Sequence, residues 1–280
     1  MEVFSDASDD DPGAEGPMTI RVGVFGAGGR MGSTVCRAVV ADPELQLVAA
    51  VDPLHAGIDL RGVTGADLRG LQVSPDVDSL ARAEAQVAID FTHLDAAREN
   101  LAWCAANGIH AVSGTTGFTS ADYEELATRF TRSNCFVAPN FAIGAVLMMR
   151  FAELAAPYFE TAEIIELHHD QKVDAPSGTS LLTAERMAAR SAEWGQDPTT
   201  KVVTEGTRGG VAPGGIRIHS VRLRGLVAHQ EVLLGTTGQS LSIRHDSYDR
   251  ASFMPGVILA VKSVAAHPGV TVGLDALLDI

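Results

Sequence analysis

A strand pattern followed by a glycine-rich turn and a helical pattern limits the possible folds of this chain most. The strand is TIRVGVFG, the turn is GAGGRMG, and the helical pattern STVCRAVVADP ends at Pro43. This order is the context of a dinucleotide-binding motif, because the helix start offers unpaired N–H groups to a phosphate. The spacing is not the usual G-x-G-x-x-G, since Met31 takes the third glycine position and Gly32 follows it. A plain tight turn therefore remains an alternative.

The second strand pattern, ELQLVAAVD, ends at Asp52. An acid at this position is placed to accept hydrogen bonds from an adenosine ribose diol, although an Asp that starts a turn before Pro53 explains it equally well. No Arg follows Asp52 to receive a 2′-phosphate, but Arg30 in the glycine turn is available. We therefore expect NADH to be used at least as well as NADPH.

Three further strand patterns alternate with helical ones. QVAIDFT, IHAVSGTTGF and NCFVAPNF are the predicted strands, and HLDAARENLAWCAANG and SADYEELATRF are the predicted helices between them. This alternation predicts an α/β fold with a Rossmann-type doubly wound parallel sheet. Glycines and hydroxyls at the carboxyl end of the fourth strand are typical of the crevice where such a sheet binds its ligand. The segment from Leu60 to Ser79 is predicted to be a variable loop with a short strand.

The stretch from Ala162 to Arg190 has the highest density of reactive side chains. A strand pattern leads into a loop, and a helical pattern follows Pro176. Ser177 is a good N-cap residue, which leaves the N–H groups of Gly178 and Thr179 free to bind an anion. Together these features predict a site that holds a carboxylated substrate and gives it a proton; the titratable residues of the stretch are Glu166, His168, His169, Asp170, Lys172 and Asp174.

The residues of this loop allow two other interpretations. The histidines could cap backbone carbonyls, with Lys172 a solvated loop charge. A metal site is the second alternative, since His is the commonest metal ligand. Adjacent histidines at a strand end point to opposite sides, and no cysteine or close carboxylate pair completes a tetrahedron with either one. The sequence therefore predicts no metal.

Composition and charge narrow the class of partner. The net charge is −14 and no basic cluster stands out, which argues against nucleic acid and anionic membrane surfaces. Cys36, Cys104 and Cys135 lie in apolar segments without framework spacing, as expected of reduced thiols. The most apolar window, Phe141 to Ala156, is too short to span a bilayer. We expect a cytoplasmic protein with a small-molecule substrate.

The loop HHDQKVDAPSGTS closely resembles the signature of the dihydrodipicolinate reductase family, E-x-HH-x-x-K-x-DAPSGT, and GAGGRMG is similar to the family's glycine turn. The resemblance extends from Met18 to Ile280. It implies NAD(P)H-dependent reduction of 4-hydroxy-tetrahydrodipicolinate, a cyclic imine with two carboxylates, to tetrahydrodipicolinate. That reaction belongs to the diaminopimelate and lysine biosynthetic pathway.

The same resemblance implies roles for individual residues. His168 matches the family's proton donor and Lys172 the second acid, while His169 with the backbone of Gly178 and Thr179 matches the carboxylate anchors. The residues implied to bind NADH or NADPH are Gly26, Ala27, Gly28, Gly29, Arg30, Met31, Asp52, Gly114, Thr115, Thr116, Ala138, Pro139, Asn140 and Phe141.

The predicted organisation has three parts. Residues 1–17 are rich in acidic residues and turn formers, and we expect a disordered leader. Residues 18–140 form the dinucleotide-binding domain, to which the resemblance adds 251–280. The resemblance implies that residues 141–250 form a substrate-binding and oligomerisation domain, and alternating strands joined by glycine turns predict a mixed or antiparallel sheet there. The resemblance implies a homotetramer built from those sheets.

Two other functions stay open on the sequence. Another Rossmann-type nicotinamide-dependent dehydrogenase, acting on an amino acid, would keep GAGGRMG but does not need the HHDQKVDAPSGT loop. A non-catalytic NAD(P)-sensing module would keep the glycine turn and lose the acid–base residues, which are present here.

Overall fold

The computed structural model describes residues 19–68, 70–191 and 194–278. The predicted leader, residues 1–17, and the last two residues of the chain lie outside these ranges. The described strands are β1 (Ile20–Phe25), β2 (Leu45–Val51), β3 (Val87–Asp90), β4 (His110–Ser113), β5 (Cys135–Val137), β6 (Thr161–His168), β7 (Gly210–Val211), β8 (Arg217–Arg222), β9 (Ala228–Thr236), β10 (Gln239–Ser247) and β11 (Val270–Val272). The described α-helices are α1 (Arg30–Ala41), α2 (Leu60–Thr64), α3 (Ser79–Arg82), α4 (Leu94–Asn107), α5 (Ser120–Arg129), α6 (Ile143–Ala155), α7 (Gly178–Arg190) and α8 (Met254–Ser263).

The first sheet has six strands in the order β11-β5-β4-β3-β1-β2, and all of its pairs are parallel. Its central strands are continuous buried runs, because helices cover both faces. Val22 and Val24 of β1 pack with α1 on one side, while Ala88 of β3 packs with Leu101 of α4 on the other. The predicted doubly wound α/β fold is confirmed.

The second sheet has five strands in the order β10-β9-β6-β8-β7. The pair β6/β8 is parallel and the other pairs are antiparallel, so the sheet is mixed, as predicted. Ile164, Val232 and Leu234 lie on one face and belong to the core with Met149 of α6 and Met187 of α7. Side chains alternate along a strand, so one face of this sheet is closed by the two helices.

The chain returns to the first sheet after β10. Helix α8 packs against α1, and β11 pairs with β5. Lys262 of α8 reaches the β2 side of the sheet through ion pairs with Asp42 at 2.9 Å and Glu44 at 3.2 Å. The connections near residues 140–142 and 247–252 join the two sheets. The domain boundaries given above stay a prediction.

One segment differs from its prediction. Residues 60–64, assigned to a variable loop, form α2, whose N-cap Asp59 accepts a hydrogen bond from the Arg61 N–H. The expected short strand is present only as isolated bridges, Val51 to Ser74 and Asp59 to Gln72. A five-residue helix is too short to display a period in its sequence. Within the described ranges, no helix is long and apolar enough to cross a bilayer.

Candidate functional site

The glycine turn brings the start of α1 against the end of β1. Gly26 has φ +66°, and a Cβ on Gly32 would lie 2.0 Å from the Gly26 carbonyl oxygen. Gly32 therefore fills the close-packing role of the third motif glycine, one position later than in the usual spacing. Gly29 is the N-cap of α1 without a side-chain cap, and the first turn has no acidic residue. This helix start is open to an anion, and the turn fits the pyrophosphate of a dinucleotide.

Asp52 is buried beside this turn. One carboxylate oxygen accepts hydrogen bonds from the Gly28 N–H at 3.1 Å and is 2.9 Å from His55 Nδ1. The other oxygen accepts from the Leu54 N–H at 3.0 Å, which caps a 3-10 turn at residues 53–55. The turn-starting interpretation of Asp52 is therefore confirmed, and its ribose role stays a prediction. The His55 ring lies over Gly28, since a Cβ on that glycine would be 2.2 Å from the ring.

A second buried acid, Asp90, connects the loops that follow β3 and β4. One of its oxygens accepts from the Thr92 N–H and hydroxyl and from the Thr115 hydroxyl, at 2.9 to 3.0 Å. The other accepts from Asn100 of α4 at 2.7 Å. Every oxygen of this carboxylate is used inside the protein, so Asp90 holds the predicted Gly114–Thr116 loop in place. The strand pattern gave no sign of this role.

Aromatic rings lie close to the same loop. A Cβ on Gly114 would fall 2.0 Å from the Phe91 ring, and the Phe91 and Phe141 ring centroids are 5.7 Å apart. Phe141 and Ala138 are buried, whereas Pro139 and Asn140 line the neighbouring cavity. The predicted cofactor residues of β4 and β5 thus lie together at the carboxyl edge of the first sheet.

A cavity of about 610 Å³ separates this edge from the second sheet. Thr116, Pro139 and Asn140 line it on the nucleotide side. The segment after β11 also contributes, and its Asp275 forms an ion pair with Arg186 of α7 at 3.2 Å across the cavity wall. The residues of the opposite wall include His168, Lys172, Asp174, Ser177, Gly178 and Thr179.

His168 is the last residue of β6, and its side chain is 15% exposed. Its Nδ1 lies 2.5 Å from Glu166 Oε2, an acid on the same strand and the same face. Glu166 is fully buried and also receives two hydrogen bonds from Arg222 of β8, each at 2.8 Å. The sequence motif includes Glu166, but no role was predicted for it. Residues i and i+2 share one face of a strand, so the spacing already indicated that Glu166 lies beside His168. Arg222 had no local signal.

Lys172 follows in the loop, and its ammonium group contacts both oxygens of Asp174 at 2.8 Å. The hydrogen bond from Lys172 lowers the pKa of the Asp174 carboxyl, which keeps that group ionised. The ammonium group therefore stays beside an anion at the cavity wall, 21% exposed.

The start of α7 forms the end of this wall. The Ser177 hydroxyl accepts from the Ser180 N–H at 3.2 Å, as predicted for the N-cap. Gly178 and Thr179 occupy the first two helical positions, where N–H groups have no acceptor inside the helix. His169 differs from its neighbours: it is exposed at a turn and is not part of the cavity lining.

Seven of the predicted site residues line this one cavity, and the role of each stays a prediction. His168, Lys172, Gly178 and Thr179 face Thr116, Pro139 and Asn140 across it. Of the predicted catalytic and substrate-binding residues, only His169 lies outside this lining. Among the described residues, no group of three or more His, Cys, Asp or Glu side chains could hold a metal ion.

Family models match nearly all of the described chain. Residues 20–141 match dihydrodipicolinate reductase, N-terminus, and residues 144–278 match dihydrodipicolinate reductase, C-terminus. The 4-hydroxy-tetrahydrodipicolinate reductase of Cutibacterium acnes is 49% identical over 267 residues, covering 93% of this chain and 99% of the relative. The enzyme of the same name from Nocardia farcinica is 48% identical over 269 residues, covering 94% and 100%.

Solved structures agree with this similarity. The dipicolinate-bound dihydrodipicolinate reductase from Paenisporosarcina sp. TG-14 has a TM-score of 0.81 and 41% identity, covering 92% of this chain and 99% of that one. An amine dehydrogenase from Mycobacterium smegmatis has a TM-score of 0.62 at 18% identity, covering 90% and 94%, which is a likeness of fold alone.

Proposed function

This chain belongs to the dihydrodipicolinate reductase family and is a reductase, and we propose that it reduces 4-hydroxy-tetrahydrodipicolinate to tetrahydrodipicolinate with NADH or NADPH. The reaction is a step of the diaminopimelate and lysine pathway. The observation that supports this substrate most is the shared cavity. It combines the nucleotide edge of the first sheet with an imidazole, an ammonium group and an open helix start.

His168 and Lys172 are the proposed acids. The 4-hydroxyl group leaves as water, which gives the conjugated ring. A nicotinamide held at the first sheet would then supply the hydride, so that negative charge would develop on the neighbouring atom of that ring. A protonated His168 donates to that atom, while the Lys172 ammonium offsets the charge of the ring and its carboxylates. General acid catalysis of this kind contributes about 10²–10⁴-fold to a rate. Both side chains lie on one loop at the cavity wall, which allows them to act on the same bound ring.

The helix start at Gly178 and Thr179 is the proposed anchor for one carboxylate, since free N–H groups and the helix dipole both favour an anion. His169 is the proposed second anchor. Because His169 lies outside the cavity lining, this role requires the loop to move toward the bound substrate. Dipicolinate, the ligand of the solved relative, is a planar dicarboxylate and suits a test of both anchors.

The direct test is a spectrophotometric assay with freshly prepared cyclic substrate and NADH. We expect oxidation of NADH that depends on the cyclic substrate and is absent with a panel of amino acids and the corresponding keto acids. Turnover of an amino acid instead would favour the amino-acid dehydrogenase. NADH binding without any turnover would favour a sensing module.

Cofactor choice provides a separate prediction for Asp52. Its carboxylate is the proposed acceptor for the ribose hydroxyls of NADH, while Arg30 is the available partner for the 2′-phosphate of NADPH. Asp52→Ala should weaken NADH by about 1–3 kcal/mol, the value of a charged hydrogen bond, and weaken NADPH less. Titration of both nucleotides by fluorescence measures this difference.

Asp52 also holds the glycine turn through Gly28, so the variant needs a control for that structural effect. His55→Ala removes the other side chain that contacts Asp52 and leaves the carboxylate in place. An equal loss for NADH and NADPH in Asp52→Ala would mean that the residue serves the turn alone.

We further propose a homotetramer assembled through the second sheet, in a cytoplasmic protein. On the face turned away from α6 and α7, Ile165 and Leu233 are only partly buried, which is unusual for the centre of a sheet. Sedimentation at micromolar concentration should give a mass near four times that of the 29.4 kDa chain. A mass of one chain would contradict the assembly.

A further inference from the structure

Glu166 is a fully buried carboxylate next to the proposed proton donor. It lies on β6 two residues before His168, so both side chains point to the same face of the second sheet. This face is the one covered by α6 and α7, and Ile164 lies on it as a core residue. A charged group in such a place is costly unless it is fully paired.

The partners of Glu166 come from three separate elements. His168 contacts Oε2, and the guanidinium of Arg222 donates to both oxygens in a bidentate arrangement. The Ser177 N–H, at the N-cap of α7, donates to Oε1 at 3.3 Å. Arg222 also donates to the Asp174 carbonyl at 2.6 Å, in the loop that holds Lys172. One carboxylate therefore connects the imidazole, the anion-binding helix start and the catalytic loop.

The register of the sheet explains how these groups meet. His168 of β6 is directly paired with Arg222 of β8, and Glu166 is paired with Ser220. Arg222 thus points along the strand toward Glu166 rather than to solvent, and its side chain is 19% exposed. A bidentate guanidinium fixes the plane of the carboxylate, which in turn fixes the direction of the oxygen that faces the imidazole.

The ionisation of Glu166 determines which imidazole nitrogen carries the proton. Burial alone would raise the pKa of Glu166, but hydrogen bonds from His168, Arg222 and Ser220 lower it to about 2. An ionised carboxylate can only accept hydrogen bonds, so the facing Nδ1 must be a donor. The proton that His168 gains and loses is then on Nε2.

We propose that Glu166, held by Arg222, is a positioning residue for this reaction. It fixes His168 with a proton on Nδ1, so that Nε2 is the atom that donates to the substrate. It also fixes the position of the start of α7. The inference rests on the proposed proton-donor role of His168 and goes beyond it. It assigns the donating atom and the group that orients it. The alternative is that the Glu166–Arg222 pair only stabilises the fold.

Glu166→Gln tests this directly, because glutamine keeps the shape and removes the charge. We expect kcat to fall by about 10²-fold, as expected when an orienting carboxylate is lost, while NADH affinity changes little. The basic limb of the pH–kcat profile should move to lower pH, since protonated His168 loses its neighbouring anion. Glu166→Asp, which keeps the charge on a shorter side chain, should recover part of kcat and restore the position of the basic limb.

Glu163→Gln is the matched control. Glu163 lies on the same strand and also contacts an arginine and a histidine, Arg208 and His219, but on the opposite face of the sheet. This variant should keep the wild-type kcat and pH profile, with its assembly state checked by sedimentation. An equal fall of kcat in both variants would mean that loss of any ion-paired carboxylate on this strand explains the effect, and the proposal would be wrong.

A double variant separates positioning from folding. Glu166→Gln leaves the largely buried Arg222 guanidinium without its counter-charge, which destabilises a protein. Glu166→Gln with Arg222→Met removes both charges, so the free energy of unfolding should recover while kcat stays low. A wild-type kcat and pH profile in either the single or the double variant would overturn the inference. If Glu166→Gln does not fold, the double variant alone provides the test. Failure of the proposed function would be distinguishable from failure of this inference, because the wild-type protein itself would then not reduce the cyclic substrate.

Discussion

Replacing His168 or Lys172 with alanine is expected to lower kcat by about 10²-fold or more while leaving NADH affinity nearly unchanged. Both side chains line the cavity but neither belongs to the glycine turn or to the β4 and β5 loops. Their loss therefore removes proton donation and charge compensation rather than nucleotide binding. Steady-state kinetics with the cyclic substrate and separate NADH titrations measure the two quantities.

The chain offers a close control for Lys172. Lys262 also forms ion pairs with acidic side chains, Asp42 and Glu44, and is 29% exposed compared with 21% for Lys172. It lies on α8, outside the cavity lining. Lys262→Ala should keep kcat, although it removes an ion pair of the same kind. Unaltered turnover in both His168→Ala and Lys172→Ala would contradict the proposed roles.

The effect of Lys172 has a specific electrostatic origin. In the structure its ammonium group faces the Asp174 carboxylate, and the hydrogen bond from Lys172 lowers the pKa of that carboxyl below its ordinary value. A substrate with two carboxylates brings more negative charge to the same wall. Because the whole chain has a net charge of −14, this local cation is needed to offset the charge of such a ligand.

Much of the fold could be predicted from sequence because its signals are local. The helix α5 (Ser120–Arg129) and the N-cap at Ser177 appear as predicted, since apolar period and capping chemistry both lie within a few residues. The glycine turn also formed in spite of its shifted spacing. Gly32 replaces the third glycine because the close approach, not the residue count, is what the packing requires.

The features that the sequence could not predict depend on contacts between residues that are far apart in the chain. Glu166 and Arg222 are 56 positions apart, and only the register of β6 with β8 brings them together. The same holds for Asp275, which reaches the cavity because β11 returns to the first sheet. Asp52 shows a different limit: its position allowed a turn role or a ribose role, and the structure adds a bond to Gly28 that no local pattern predicts.

The cavity also predicts coupling between its two ligands. Dipicolinate should bind more tightly with NADH present than without it, and it should tighten NADH by the same factor, because linkage is reciprocal. Coupling of this kind is typically about 5–150-fold. His169 lies outside the lining, so its proposed contact with the substrate requires this wall to move. Hydride transfer needs atoms about 3–3.5 Å apart, so closure must precede it.

The connections at residues 140–142 and 247–252 are the proposed hinges, since each leads from a strand of one sheet into a helix that packs elsewhere. Closure would also require the Arg186–Asp275 ion pair to shift, because it joins α7 to the segment after β11. Calorimetry of each ligand, with and without the other, measures the coupling. Picolinate, with a single carboxylate, is the matched control: it reaches one anchor only, so its coupling with NADH should be weaker. Independent affinities for dipicolinate and NADH would show that the two walls do not close together.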